Sequence, residues 1–209
     1  MIKFLRILVL ASLLLPGALL ASPKILVLGD SLSAAYGIAL PQGWVALLEK
    51  RLRDEGYPHT LVNASVSGET TAGGLARLPV ALDLHKPEIV LIELGANDGL
   101  RGLSLKKMRN NLARMAQISR AAGAQALLLE MRVPPNYGAA YADEFQQSFA
   151  RVAQEQKAVW VPFFLADIAL KPEFFQDDGI HPTAEAQPRL LEPVWKALKP
   201  HLKTGRVRK

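Results

Sequence analysis

The 209-residue chain has no cysteine. Disulfides and lipid attachment through a thiol are therefore excluded, and the fold must be held by its core alone. Histidine is almost as scarce, with four in the chain, and no paired spacing of His, Asp or Glu suggests a metal centre. Asp30, Asp98, Asp178 and His181 can be imagined as ligands for metal-dependent hydrolysis, but they offer a single imidazole, so neither a metal nor any other cofactor is expected.

Long apolar runs are missing beyond the N-terminus. The exception, "MIKFLRILVLASLLLPGALLAS", places Lys3 and Arg6 before an apolar stretch from Ile7 to Leu15, then Pro16, Gly17 and small residues. That is the layout of a secretory signal peptide, here residues 1–21, and it predicts a bacterial protein exported to the periplasm or secreted. With cleavage after Ala21, Leu19 falls where a small side chain is usual. The competing reading, an uncleaved anchor, needs a longer run, about 20 residues. A strong surplus of charge is also missing from the body of the chain. The formal charge is +6, but removing Lys3 and Arg6 leaves +4, and Lys203, Arg206, Arg208 and Lys209 lie in the tail. The near-neutral remainder does not predict a nucleic-acid partner. Residues 201–209 read as a frayed basic tail and residues 22–200 as one domain, since there is no internal repeat, linker or second core.

What is present is a regular alternation. Five apolar runs of strand length occur at 24–29, 60–65, 88–95, 125–131 and 158–164. Their near-continuous hydrophobicity predicts strands covered on both faces. Between them, helical spacing is seen in "GWVALLEKRLRDEG", in "SLKKMRNNLARMAQISRAAG" with Ser104 as N-cap and Gly123 as stop, and in "AYADEFQQSFARVAQEQK". A last helix near 184–199 carries Pro188 and Pro193 and is expected to kink or break. The class is α/β with a parallel sheet of about five strands. In such sheets ligands bind beyond the carboxyl ends of the strands, and the unusual polar clusters all fall there: "GDSLS", "SVSGET", "GANDG", "RVPPNYG" and "DDGIHP".

A serine becomes a nucleophile when a base removes its proton, and a histidine oriented by a carboxylate is the usual base. His59 and His85 precede strands and fall at the opposite edge, and His201 is in the tail. That leaves His181 for Ser31. Asp178, three residues before it, can fold back onto one imidazole nitrogen; Asp177 is the neighbouring alternative, less well spaced. Donors for a developing oxyanion can come from the Gly68 N–H, the Asn97 side-chain amide and the Ser31 N–H. Each cluster can also be read blandly: "DGIHP" as an ordinary turn, Gly68 as a turn residue, Asn97 as a helix cap. Asp30 is expected to hydrogen-bond the loop behind Ser31.

"GDSLS", the glycine of "SVSGET", "GAND" and "DGIHP", in this order and at these separations, resemble the four sequence blocks of the GDSL or SGNH hydrolases. "GWVALL", "VNASVSGETTAGGLARLP", "ELGANDGLRG", "PPNYG", "VPFF" and "DDGIHPTAEAQPRLL" extend the likeness over residues 24–200, toward the secreted bacterial branch of multifunctional acyl-CoA thioesterases, lysophospholipases and arylesterases. The resemblance implies a three-layer, flavodoxin-like α/β/α sandwich. It implies Ser31 as nucleophile, His181 as general base and acid, Asp178 as its orienter, and Ser31, Gly68 and Asn97 as the oxyanion hole. The activity implied is hydrolysis of fatty-acyl esters and thioesters by a monomer, with transient contact to membrane lipid. Leu100, Leu103, Val133, Pro134, Pro135 and Tyr137 either line an acyl groove or cover the core. A carbohydrate O-acetyl esterase and a non-enzymatic lipid-binding protein of the envelope are the alternatives. Two positions depart from the family pattern. Ala96 stands where a second glycine is usual, and Glu130 ends the fourth strand where a neutral residue is expected.

Overall fold

A computed structural model describes residues 22–203. Residues 1–21, expected to be a signal peptide, and residues 204–209 of the tail lie outside the described residues. β1 (Lys24–Gly29), β2 (Thr60–Asn63), β3 (Ile89–Glu93), β4 (Gln125–Leu129) and β5 (Val159–Val161) form one sheet in the order 2-1-3-4-5. Every neighbouring pair is parallel. The central strands are almost wholly buried, as their unbroken apolar sequences require, whereas β2 and β5 are half-exposed edges. α1 (Trp44–Asp54) packs with α6 (Gln187–Leu198), and α4 (Leu105–Ala121) packs with both α2 (Thr71–His85) and α5 (Ala139–Gln156). The result is the three-layer α/β/α sandwich.

The strands end earlier than their apolar runs, because the last apolar residues of each run turn off the sheet to cover its carboxyl edge. Leu94, Met131 and Phe164, for example, are buried beyond the ends of β3, β4 and β5. α4 starts where the sequence indicates, with the Ser104 hydroxyl accepting from the Lys107 N–H at 3.4 Å; such caps are worth about 1 kcal/mol. The last predicted helix is split: a 3₁₀ turn (Ala184–Ala186) precedes α6, which then continues past Pro193. The lost backbone hydrogen bond is outweighed by a buried face of Leu190, Leu191, Val194, Trp195 and Leu198. α2 was not evident in the sequence, since Gly73, Gly74 and Pro79 interrupt its pattern; Thr70 caps it. Of the tail, His201 closes a 3₁₀ turn and Lys203 pairs with Glu88 at 2.9 Å.

The strand order reverses at β1, whose chain goes outward to β2 and then crosses back to β3. A crevice opens between the loops at that reversal. The segments after β1, β2 and β3 all lead into it.

Candidate active site

β1 ends at Gly29, and Asp30 turns the chain: its Oδ1 accepts from the Leu32 N–H at 3.0 Å, and the Ala34 N–H donates to its carbonyl at 2.9 Å. Ser31 is thereby held at the strand end, with Oγ 2.9 Å from His181 Nε2. His181 Nδ1 lies 2.6 Å from Asp178 Oδ2, and Asp178 Oδ1 accepts from the Ile180 and His181 N–H groups at 2.9 and 3.0 Å. Those main-chain donors and the His181 ring hold the Asp178 carboxyl down at about 2. The carboxylate therefore fixes an Nδ1–H tautomer, which leaves Nε2 free to accept the Ser31 proton. Asp177 is exposed and takes no part. The Tyr36 ring covers the imidazole at 4.4 Å between centroids.

The three candidate oxyanion donors meet at the crevice. Gly68 has φ 78°, a conformation that favours glycine. Among the described residues, no protein acceptor faces its N–H or that of Ser31. Asn97, in the short helix α3 (Ala96–Leu100), gives one amide hydrogen to Asp30 Oδ2 at 3.0 Å, which leaves the other for a ligand. Arg101 Nη2 donates to the Gly68 carbonyl at 2.9 Å and lies 3.4 Å from Asn97 Oδ1. Asp98, the other imagined metal ligand, accepts instead from the Thr71 hydroxyl and N–H at 2.6 and 2.8 Å. The loops carrying Gly68 and Asn97 are thus tied together twice.

Behind Ser31 lies a buried carboxyl pair. Glu93, opposite Gly29 in the β1–β3 register, accepts from the Ser33 hydroxyl at 2.7 Å and from the Asp30 N–H at 3.3 Å, while its Oε1 has no partner. Burial raises both acids, Asp30 to about 6 and Glu93 well above the usual range, and the Asp30 charge pushes Glu93 further. Two such groups cannot both ionise in a dry site, so Asp30 ionises first and Glu93 keeps the proton. An ionised Asp30 is the form that best holds the Asn97 amide.

Residues 27–188 match the GDSL-like lipase/acylhydrolase family. The chain belongs to that family. It is 55% identical to the esterase TesA of Pseudomonas aeruginosa, over 87% of this chain and 90% of that protein. It is 42% identical to thioesterase 1/protease 1/lysophospholipase L1 of Escherichia coli K12, over 86% and 85%. Among solved structures, the psychrotrophic esterase EstA from Pseudoalteromonas sp., inhibited by monoethylphosphonate, superposes with a TM-score of 0.82 at 44% identity, covering 85% of this chain and 97% of that one.

The two departures from the GDSL pattern have local accommodations. The Ala96 methyl packs against the core. Glu130 is buried, its Oε1 accepting from Arg132 Nε and its Oε2 from Trp160 Nε1, each at 3.1 Å, so its charge is spent in fastening β4 to β5. Of the candidate groove residues, Val133 belongs to the core, whereas Leu103 and Tyr137 stay exposed and the Tyr137 hydroxyl donates to the Leu100 carbonyl. Sequence reasoning named Ser31, His181 and Asp178, which the structure brings together, but missed Glu93 and Arg101. "IELG" ends a buried strand in a carboxylate, and that was the one available sign of Glu93.

Proposed function

We propose that the chain is a serine esterase and thioesterase that passes through an acyl-enzyme on Ser31. The observation that carries this reading is the unbroken chain of contacts from Ser31 Oγ through the His181 ring to Asp178, at 2.9 and 2.6 Å. Ser31 Oγ attacks the carbonyl carbon while His181 Nε2 takes the hydroxyl proton. The carbonyl oxygen becomes an oxyanion facing the Ser31 and Gly68 N–H groups and the free Asn97 amide hydrogen. As the intermediate collapses, the C–O or C–S bond breaks and the leaving alkoxide or thiolate takes the proton from Nε2. Water, deprotonated by the same nitrogen, then releases the acid and restores Ser31. A tetrahedral phosphonate, the inhibitor of EstA, has the shape that this site would favour.

The substrates proposed are fatty-acyl esters, among them lysophospholipids and aryl esters, and acyl thioesters. The five connections beyond the strands all expose large apolar side chains, among them Tyr36, Val66, Leu103, Tyr137 and Ile180, each at least 40% accessible. That rim suits an acyl chain and transient contact with membrane lipid. The enzyme acts as a monomer, since one chain supplies every reacting group. Its N-terminal pattern supports export to the periplasm or medium as a domain of residues 22–200, with no cofactor in the proposed reaction; N-terminal sequencing of exported protein should begin near Ser22.

The test is a panel of p-nitrophenyl esters from acetyl upward, plus an acyl thioester and a lysophospholipid, on wild type and Ser31→Ala, with fluorophosphonate labelling. Labelling at Ser31 and faster turnover of longer chains are expected. A strict acetyl preference would favour a carbohydrate O-acetyl esterase. Absence of labelling and turnover would leave a lipid-binding protein.

A further inference from the structure

Ser31 and His181 are 150 positions apart in sequence and sit on two loops that no strand pairing joins. One side chain bridges them. Gln176 precedes Asp178 by two residues, and its carboxamide Nε2 donates to the Tyr36 carbonyl at 2.9 Å and to the Pro182 carbonyl at 3.1 Å. Both amide hydrogens are consumed, one on each loop. Its own backbone closes the histidine loop, with its N–H donating to the His181 carbonyl and its carbonyl accepting from the Gly179 N–H, both at 2.8 Å.

The loop after β1 is shaped around this residue. Ala35 and Gly37 both adopt left-handed conformations, φ 58° and 73°, and the Tyr36 N–H returns to the Ser31 carbonyl at 3.2 Å. A β-carbon on Gly37 would overlap Gln176 Oε1, so the glycine there both permits the turn and leaves room for the amide. Tyr36, held by its carbonyl, lays its ring over His181. The downstream end of the histidine loop has a separate anchor: Gln187 Nε2 donates to the Thr183 carbonyl and Gln187 Oε1 accepts from the Trp44 N–H on α1.

We infer that Gln176 is a positioning residue that, by bonding the loop of Ser31 to the loop of His181, sets the separation across which the proton passes. The inference rests on the serine-esterase reading above. A nucleophile and base displaced by as little as 1 Å lose about 10²-fold in rate. Both Gln176 donors are spent on main-chain carbonyls and none is left for substrate, so the loss should fall on kcat.

The variants are Gln176→Ala and the volume-keeping Gln176→Met, which removes both donors without opening a void. Expected is a roughly tenfold to hundredfold fall in the p-nitrophenyl butyrate burst rate and in fluorophosphonate labelling, by the same factor, with KM little changed. Because Gln176 acts through His181, adding either change to His181→Ala should leave the residual rate where it was, whereas general loosening of the site would lower it again. Gly37→Ala, which crowds the amide from the other loop, should reproduce the loss. A folded Gln176→Met enzyme with wild-type burst and labelling rates would overturn the inference, as would a further drop in the His181→Ala background. Failure of the parent reading looks different, since wild type itself would then escape labelling at Ser31.

Discussion

The two halves of the site are built in opposite ways. In the proposed mechanism, the half that faces a developing oxyanion stands on the buried strands β1 and β3 and on the edge strand β2, and is cross-braced by side chains: Glu93 on Ser33, Asp30 on Asn97, Arg101 on Gly68, Asp98 on Thr71. The half that moves protons hangs from the half-exposed β5 on a loop whose Asp178 side chain is 39% accessible. The difference follows from the work each does. Donors that stabilise charge must be fixed in place before the charge appears, since reorienting them during reaction would cost the energy they supply. A proton carrier needs only to hold one tautomer and one distance, which the Asp178 contact and the single Gln176 bridge to the Ser31 loop supply.

Removing the groups that both halves serve should have the largest effect. Ser31→Ala or His181→Ala should each lower turnover by on the order of 10⁶, and the double variant by little more, because the two act as a unit. Independent, additive losses in steady-state rates would break the pairing. Within the proton-moving half, Asp178→Asn should cost on the order of 10³ to 10⁴ through the wrong tautomer. Asp177→Asn should stay near wild type; equal losses would show that the loop rearranges. Within the braced half, Asn97→Ala should slow turnover by on the order of 10² to 10³, or about 3 to 4 kcal/mol. Arg101→Ala, which frees Asn97 and the Gly68 loop without touching substrate, should cost roughly tenfold, about 1.4 kcal/mol. If Arg101→Ala left kcat intact, the brace would be decoration.

The smallest effect concerns stability and pH. Asp30 is raised from 3.8 to about 6, so between those values the folded protein keeps a proton that the unfolded chain has released. Stability therefore falls as pH rises across that window, and Glu93, also raised, acts in the same direction. Glu93→Gln keeps an acceptor for Ser33 and removes the second acid, so its melting temperature should fall less between pH 4 and 6 than that of wild type. Parallel melting curves for the two proteins would mean the carboxyls do not share a proton.

Much of this was legible in the chain. Ser31 and His181 could be paired because one histidine out of four fell beyond a strand's carboxyl end, and Asp178 because a three-residue offset suits a turn. The central strands were legible because burial on both faces demands unbroken apolar runs. α2 was not, since its glycines and Pro79 disturb the helical period while packing against α4 and β1 sustains it. Arg101 and Gln176 were missed for a different reason: each donates to main-chain carbonyls, and no residue type or spacing advertises such a bond; Glu93 left only the sign of a carboxylate ending a buried strand.

The sequence by itself determined the layers, the edge where the polar clusters gather and which serine and histidine could meet there, because periodicity and the scarcity of histidine are properties of the chain. Only the tertiary structure decided how those groups are held. Hydrogen-bond direction and burial are set by neighbours far away in sequence, so the buried carboxyl pair behind Ser31 and the amide that bridges the two loops exist only once the strands have stacked side by side.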